Sequence, residues 1–107
     1  MVMIHTNDWY SSNTKQVTDT VAVSSDEVML EKLAVGNEPE QWKLCAGQCA
    51  WMPGQLQAEV DGTNEFPKDK TWLVVPATDE IIFNVNTDDI WYQAVDYCSK
   101  VLVETLL

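Results

Sequence analysis

The 107-residue chain carries 17 acidic side chains against six lysines and no arginine, for a formal net charge of −11 at pH 7. That length holds a single domain, residues 1–107, with a core of modest size, and its 46% hydrophobic and 21% charged fractions are those of a globular chain, not a disordered one. Nucleic acids and anionic membrane surfaces are gripped by clustered Lys and Arg, so the charge speaks against both as direct partners and favours solubility and steering toward cations.

No run of 18 apolar residues suggests a membrane span. Residues 1–8 lack the basic and long apolar regions of a signal peptide. Three cysteines, Cys45, Cys49 and Cys98, are an odd number and fit reduced thiols in a cytoplasm better than a disulfide framework. Five tryptophans are many for this length, and side chains so large are expected to be largely buried against the core or a partner.

In chain order, the apolar run at residues 2–5 predicts a short strand that begins almost at the first residue. Residues 6–13 are turn-rich, with Asn7-Asp8 and Ser11-Ser12-Asn13 as punctuation. The β-branched run at residues 20–24 predicts a second strand. Ser24 with Glu27 three positions on forms a capping-box pattern. It opens a helix with Val28, Met29, Leu33 and Ala34 on one face, stopped by Gly36 and Pro39. Residues 42–50, small and apolar with little alternation, suit a strand buried on both faces, and Gly47 within it suggests a bulge or the close approach of another backbone. Met52-Pro53-Gly54 turns the chain into a helix of about two turns at residues 55–60, with Pro53 near its first turn and residues 61–64 ending it. Residues 71–75 (Thr-Trp-Leu-Val-Val) form the clearest strand candidate, stopped by Pro76. Residues 79–83 predict one helical turn carrying Ile81, Ile82 and Phe83 inward. A final helix from Thr87 or Asp88 to about Glu104 carries a stripe of Ile90, Trp91, Ala94, Val95, Cys98, Val101 and Leu102. Strands and irregularly placed helices without a regular βαβ alternation point to an α+β fold.

The segment at residues 47–59, Gly-Gln-Cys-Ala-Trp-Met-Pro-Gly-Gln-Leu-Gln-Ala-Glu, resembles the G-x-(small)-x-W-x-x-G-Q-L-x-x-E signature of the AlgH/YqgE family, long catalogued as a domain of unknown function and once labelled a transcriptional regulator. Supporting matches lie at residues 21–33, at Gly36-Asn37-Glu38-Pro39-Glu40, at Trp72 to Ala77 with Ile82-Phe83, and at Trp91-Tyr92-Gln93-Ala94. The resemblance covers roughly residues 2–100. It implies an α+β arrangement around a mixed, bifurcated, barrel-like sheet, with two main helices and short helical turns, that shelters the indoles inside. Family members usually carry a further amino-terminal portion, so the chain is similar to the carboxyl-terminal two-thirds of the family domain. Self-association into a homo-oligomer is the expected means of covering the strands and core so exposed.

Among residues able to carry chemistry, Cys45 and Cys49 would lie on one face of a strand about 13 Å apart, too far for a disulfide. With only Cys98 and His5 as further donors they make a weak zinc set, and no metal or cofactor is expected. The thiols read as small core residues, and His5 as a strand-end surface or hydrogen-bonded residue. Pairing of His5 with a cysteine as base and nucleophile stays open as the basis of a redox or hydrolytic enzyme. The best binding candidate is the cluster Trp51, Gly54, Gln55 and Glu59: an apolar wall, a position open to close approach, and polar groups beside a helix start. The expected function is a non-catalytic binding or regulatory module with a cleft at residues 51–59 for a protein or small-molecule ligand. The alternatives are the cysteine enzyme and a structural protein acting only as an oligomer.

Overall fold

The computed structural model describes residues 1–62 and 72–106. Its elements are β1 (Val2–Thr6), β2 (Lys15–Gln16), β3 (Val21–Ser24), α1 (Glu27–Ala34), β4 (Trp42–Cys45), α2 (Gln55–Asp61), a π-helical turn (Glu80–Asn84), a 3-10 turn (Thr87–Asp89) and α3 (Ile90–Leu106). The fold is α+β. Its sheet has the order β2-β3-β1-β4, is antiparallel at every pairing, and is open rather than closed into a barrel. The backbone forms two compact units, Met1–Gln48 with Ile82–Asn84 and Cys49–Ile81 with Val85–Leu107.

The first unit is built on β1. Successive side chains of a strand point to opposite faces, and here Met3 and His5 are fully buried while Val2, Ile4 and Thr6 are half-buried. The register places Met3 opposite Ser24 and His5 opposite Ala22, so four buried side chains share one sheet face. Met3, Trp9 and Met29 form the core cluster, with Leu33 and Trp42 packed against it, which seats α1 on that face. Burial of each such apolar side chain contributes about 1.5–3 kcal/mol. Trp9 keeps its polar edge satisfied by donating from Nε1 to Asn37 Oδ1 at 3.1 Å, and Lys32 Nζ lies 5.3 Å from the Trp9 and Tyr10 ring centres.

Helix α1 starts two residues later than the capping-box pattern indicates. Asp26 is the N-cap, and its side chain accepts from Met29 N at 2.7 Å. Ser24 is instead the last residue of β3, and its hydroxyl is spent inside the sheet. The helix ends in a Schellman arrangement: Asn37 N donates to Lys32 O and Gly36 N to Leu33 O, with Gly36 at φ +80°.

Two strand expectations are corrected. β4 ends at Cys45 and lies at the sheet edge, so it is half-buried, not covered on both faces. Gly47 falls beyond it and marks no bulge, and a Cβ there would meet nothing within 4 Å. Residues 72–78 adopt no regular structure. An apolar β-branched run becomes a strand only with a neighbour to complete its hydrogen bonds, and no described strand pairs with this one. Residues 63, 64 and 71, which the sequence reading includes in a helix end and a strand, lie outside the described residues.

The second unit contains α2 and α3. Met52-Pro53-Gly54-Gln55 is a type II turn, with Gln55 N donating to Met52 O at 2.9 Å and Gly54 at φ +78° and ψ −9°. Pro53 therefore belongs to this turn and not to the helix. The turn predicted at residues 79–83 is present as the π-helical Glu80–Asn84, with Ile81, Ile82 and Phe83 half-buried. Ahead of α3, Asn86 caps the 3-10 turn by accepting from Asp88 N. Neither α2 nor α3 holds a fully buried residue. The expectation that the indoles are sheltered fails for three of five: Trp51, Trp72 and Trp91 are 38%, 44% and 69% exposed, against 8% for Trp9.

Candidate functional site

Residues 51–59 unite a tight turn with the short helix α2, which fixes where each candidate side chain starts. Trp51 precedes the turn, and its ring meets Trp72 edge-on, with centroids 5.9 Å apart and planes at 69°. This geometry suits the ring quadrupoles. Gln55 reaches back across the turn, its Oε1 accepting from Met52 N at 3.0 Å. One acceptor of that amide thus holds the turn. Gly54 is required by its positive φ. A Cβ there would meet nothing within 4 Å, so no neighbouring side chain or backbone demands glycine at this position and the space over it is open.

Glu59 stands one helical turn after Gln55 on the same side of α2. The residue is half-buried, and its Oε2 is shut away from solvent with no hydrogen-bond partner among the described residues. A carboxylate oxygen without water or a donor is costly, because desolvation is not repaid. Trp72 was absent from the sequence-derived cluster. Its signal was present, an aromatic heading an apolar run, but that run read as a strand.

The other candidates are His5 and the three cysteines. His5 is interior: Nδ1 donates to Thr6 O at 2.7 Å, and Nε2 lies 2.8 Å from Ser24 Oγ, which lies 2.6 Å from Thr14 Oγ1. A carbonyl only accepts, so the proton of the neutral ring sits on Nδ1 and Ser24 donates to Nε2. The ring also meets Trp9 edge-on at 5.1 Å. His5, next to last in β1, is thus a hydrogen-bonded residue as expected, but a buried core one and not a surface one. The three cysteines are free: Cys45 and Cys98 are half-buried, and Cys49 is exposed, contrary to its reading as a core thiol. Cys98 Sγ donates to Val74 O at 3.8 Å. Among the described residues no three His, Cys, Asp or Glu side chains gather as a metal site, and no helix is long and apolar enough to cross a membrane.

The open antiparallel sheet and its accompanying helices define an α+β protein, the class implied by the residue 47–59 signature. The chain belongs to the AlgH-like family, whose profile matches residues 1–101. It is similar to a UPF0301 protein of Gluconobacter oxydans, at 31% identity over 93 residues, covering 87% of this chain and 46% of the relative. It is also similar to UPF0301 proteins of Marinomonas, 35% identical over 80% of this chain and 42% of the relative, and of Vibrio parahaemolyticus, 33% identical over 83% and 43%. The chain spans about half the length of the curated relatives it matches, and the family is one of unknown function.

Proposed function

We propose that this chain is a non-catalytic binding module whose residues 51–59 receive a positively charged peptide or small molecule. The observation that carries the reading is Glu59 Oε2, withdrawn from water and unpartnered among the described residues. A donor arriving with a ligand offsets a penalty of about 1–3 kcal/mol for such a group. The exposed indole of Trp51, edge-on to that of Trp72, offers apolar surface beside the turn. The net charge of −11 draws cations toward the molecule. Any regulatory role runs through a protein partner, because a chain without arginine is poorly equipped to read DNA. Three free thiols, one exposed, support a reducing, cytoplasmic setting.

The test is a titration of isotope-labelled protein with a capped Lys-Leu-Lys tripeptide, following the Trp51 indole N–H and the amides of Gln55 and Glu59. Saturable shifts at these groups are expected, with affinity weakened about tenfold in Glu59→Gln, the loss of one charge-assisted hydrogen bond. Absence of shifts, or shifts that Glu59→Gln leaves unchanged, overturns the reading.

A further inference from the structure

His5 is the single histidine of the chain, and it is wholly interior. Its ring ends a line of hydroxyls that begins at the surface of the first unit. Ser11 N donates to Thr14 Oγ1 at 2.6 Å, Thr14 Oγ1 lies 2.6 Å from Ser24 Oγ, and Ser24 Oγ lies 2.8 Å from His5 Nε2. Ser24 is buried and Thr14 half-buried, so the Thr14 end of the line is the one that reaches solvent.

A hydroxyl carries one proton and two lone pairs, which lets each link run in either direction. With a neutral ring, Thr14 donates to Ser24 and Ser24 donates to Nε2. A second ring proton makes Nε2 a donor, and both links turn over: Nε2 donates to Ser24, and Ser24 donates to Thr14. Thr14 Oγ1 then accepts from both Ser24 and Ser11 N, and its own proton turns outward to water. Nδ1 keeps its bond to the Thr6 carbonyl at 2.7 Å. No buried polar group of the line loses its partner in either state.

We propose that this line is a pH-sensitive switch: His5 takes up a proton inside the folded unit by reversal of Ser24 and Thr14, and the change is delivered to the half-buried hydroxyl of Thr14. The surroundings of the ring decide whether a charge is tolerated. On its sheet face the register sets Ala22 and Trp42 beside His5, while Lys15 and Lys43 pair with Val23 and Ile4 on the opposite face. Trp9 meets the ring edge-on, and α1 adds Met29 to the same core. The charges behind this neutral shell are Asp8, Asp26 and Lys32. After the Thr6 hydroxyl and the Glu40 N–H, attraction to His5 is a further influence holding the Asp8 carboxyl low. Asp26 is engaged by Ser11 Oγ and by the N–H groups of Asn13 and Met29. Lys32 Nζ lies 5.3 Å from the Trp9 ring centre and donates to the Tyr10 carbonyl. Two carboxylates favour an imidazolium and one ammonium opposes it. A buried charge with an unpaired N–H would have to be relieved by opening of the unit, and the reversible hydroxyls remove that need. The switch shares no residue with the segment 51–59.

The test is a proton NMR titration of the untagged full chain from about pH 8 to about pH 5, the span in which histidine changes charge. A single histidine makes its Cε1–H resonance unambiguous. The Trp9 indole N–H, bonded to Asn37, reports whether the unit stays closed. A sigmoidal movement of the His5 resonance is expected while the Trp9 signal stays in place. In Thr14→Val the charged form loses the acceptor for Ser24. The midpoint should therefore fall by about one pH unit, the difference between a charge-assisted and a neutral hydrogen bond, and Thr14→Ser should restore it. A His5 resonance that stays flat, or that moves only as the Trp9 signal collapses, overturns the proposal, because the ring is then never charged or is charged only by opening. A Thr14→Val midpoint equal to that of the unaltered chain overturns the part played by the hydroxyls. If Thr14→Val does not fold, Thr14→Ala supplies the same comparison, and the unaltered chain still decides whether the ring charges in the closed unit.

Discussion

His5 shares a sheet face with Met3, Ala22 and Ser24, and all four are buried. It is tolerated there because each ring nitrogen has a partner and the hydroxyls form a one-way chain, Thr14 to Ser24 to His5 to the Thr6 carbonyl. In His5→Ala the Ser24 hydroxyl loses its acceptor in a closed site and Trp9 loses a ring contact. The expected cost is about 2–4 kcal/mol, read as a lowered urea midpoint at unchanged slope. A change below 0.5 kcal/mol would show that the network adds nothing. The sequence alone does not reveal this position, because Val2 and Ile4 on one side of β1 compete with Met3 and His5 on the other. Period-two alternation cannot choose between two rows that both contain apolar residues. The candidate turn was more legible: Pro53-Gly54 specifies a type II turn locally, whereas the Trp51–Trp72 contact joins positions 21 apart and leaves no local trace.

At the scale of elements, α1 shows how far local chemistry reaches. Its end is written in Gly36, whose φ of +80° lets the chain close two backbone bonds onto the last turn. Gly36→Ala meets no atom within 4 Å, so its cost is conformational alone, about 1–2 kcal/mol for an L-residue in the left-handed region. Thermal unfolding of that variant should show the loss, and an unchanged midpoint would mean that the helix ends elsewhere in solution. The start of α1 was less legible, because Ser24 and Asp26 both suit an N-cap, and the contest is settled by the demand of buried His5 for a donor from Ser24. The same limit explains β4 and residues 72–75. An apolar run reports a preference for burial, but whether it becomes a central strand, an edge strand or an unpaired segment depends on which distant strand arrives beside it.

For the molecule as a whole, acidic excess and acid stability are linked through two hydrogen-bonded carboxylates, Asp8 and the helix cap Asp26. The hydroxyl of Thr6 foremost, with the Glu40 N–H, holds the Asp8 carboxyl below the ordinary aspartate value of 3.8 against a smaller opposing effect of burial. At Asp26 burial pushes upward, yet the hydrogen bonds from Ser11 Oγ and the N–H groups of Met29 and Asn13 together outweigh it. Both groups bind protons less readily folded than unfolded, so their stabilisation is complete above the unfolded value near 3.8 and is lost as pH falls through the lower folded values. Protonation of the other carboxylates relieves mutual repulsion over the same range, so the protein's own pH profile mixes two opposing trends. Comparison with Asp8→Asn/Asp26→Asn separates them. The urea-midpoint gap between the two proteins should be widest at pH 7, persist at pH 5, and close as pH falls below 3.8 through the lower folded values. A gap constant across that range would mean that neither carboxylate charge stabilises the fold, leaving repulsion among the remaining acids as the cause of its acid response.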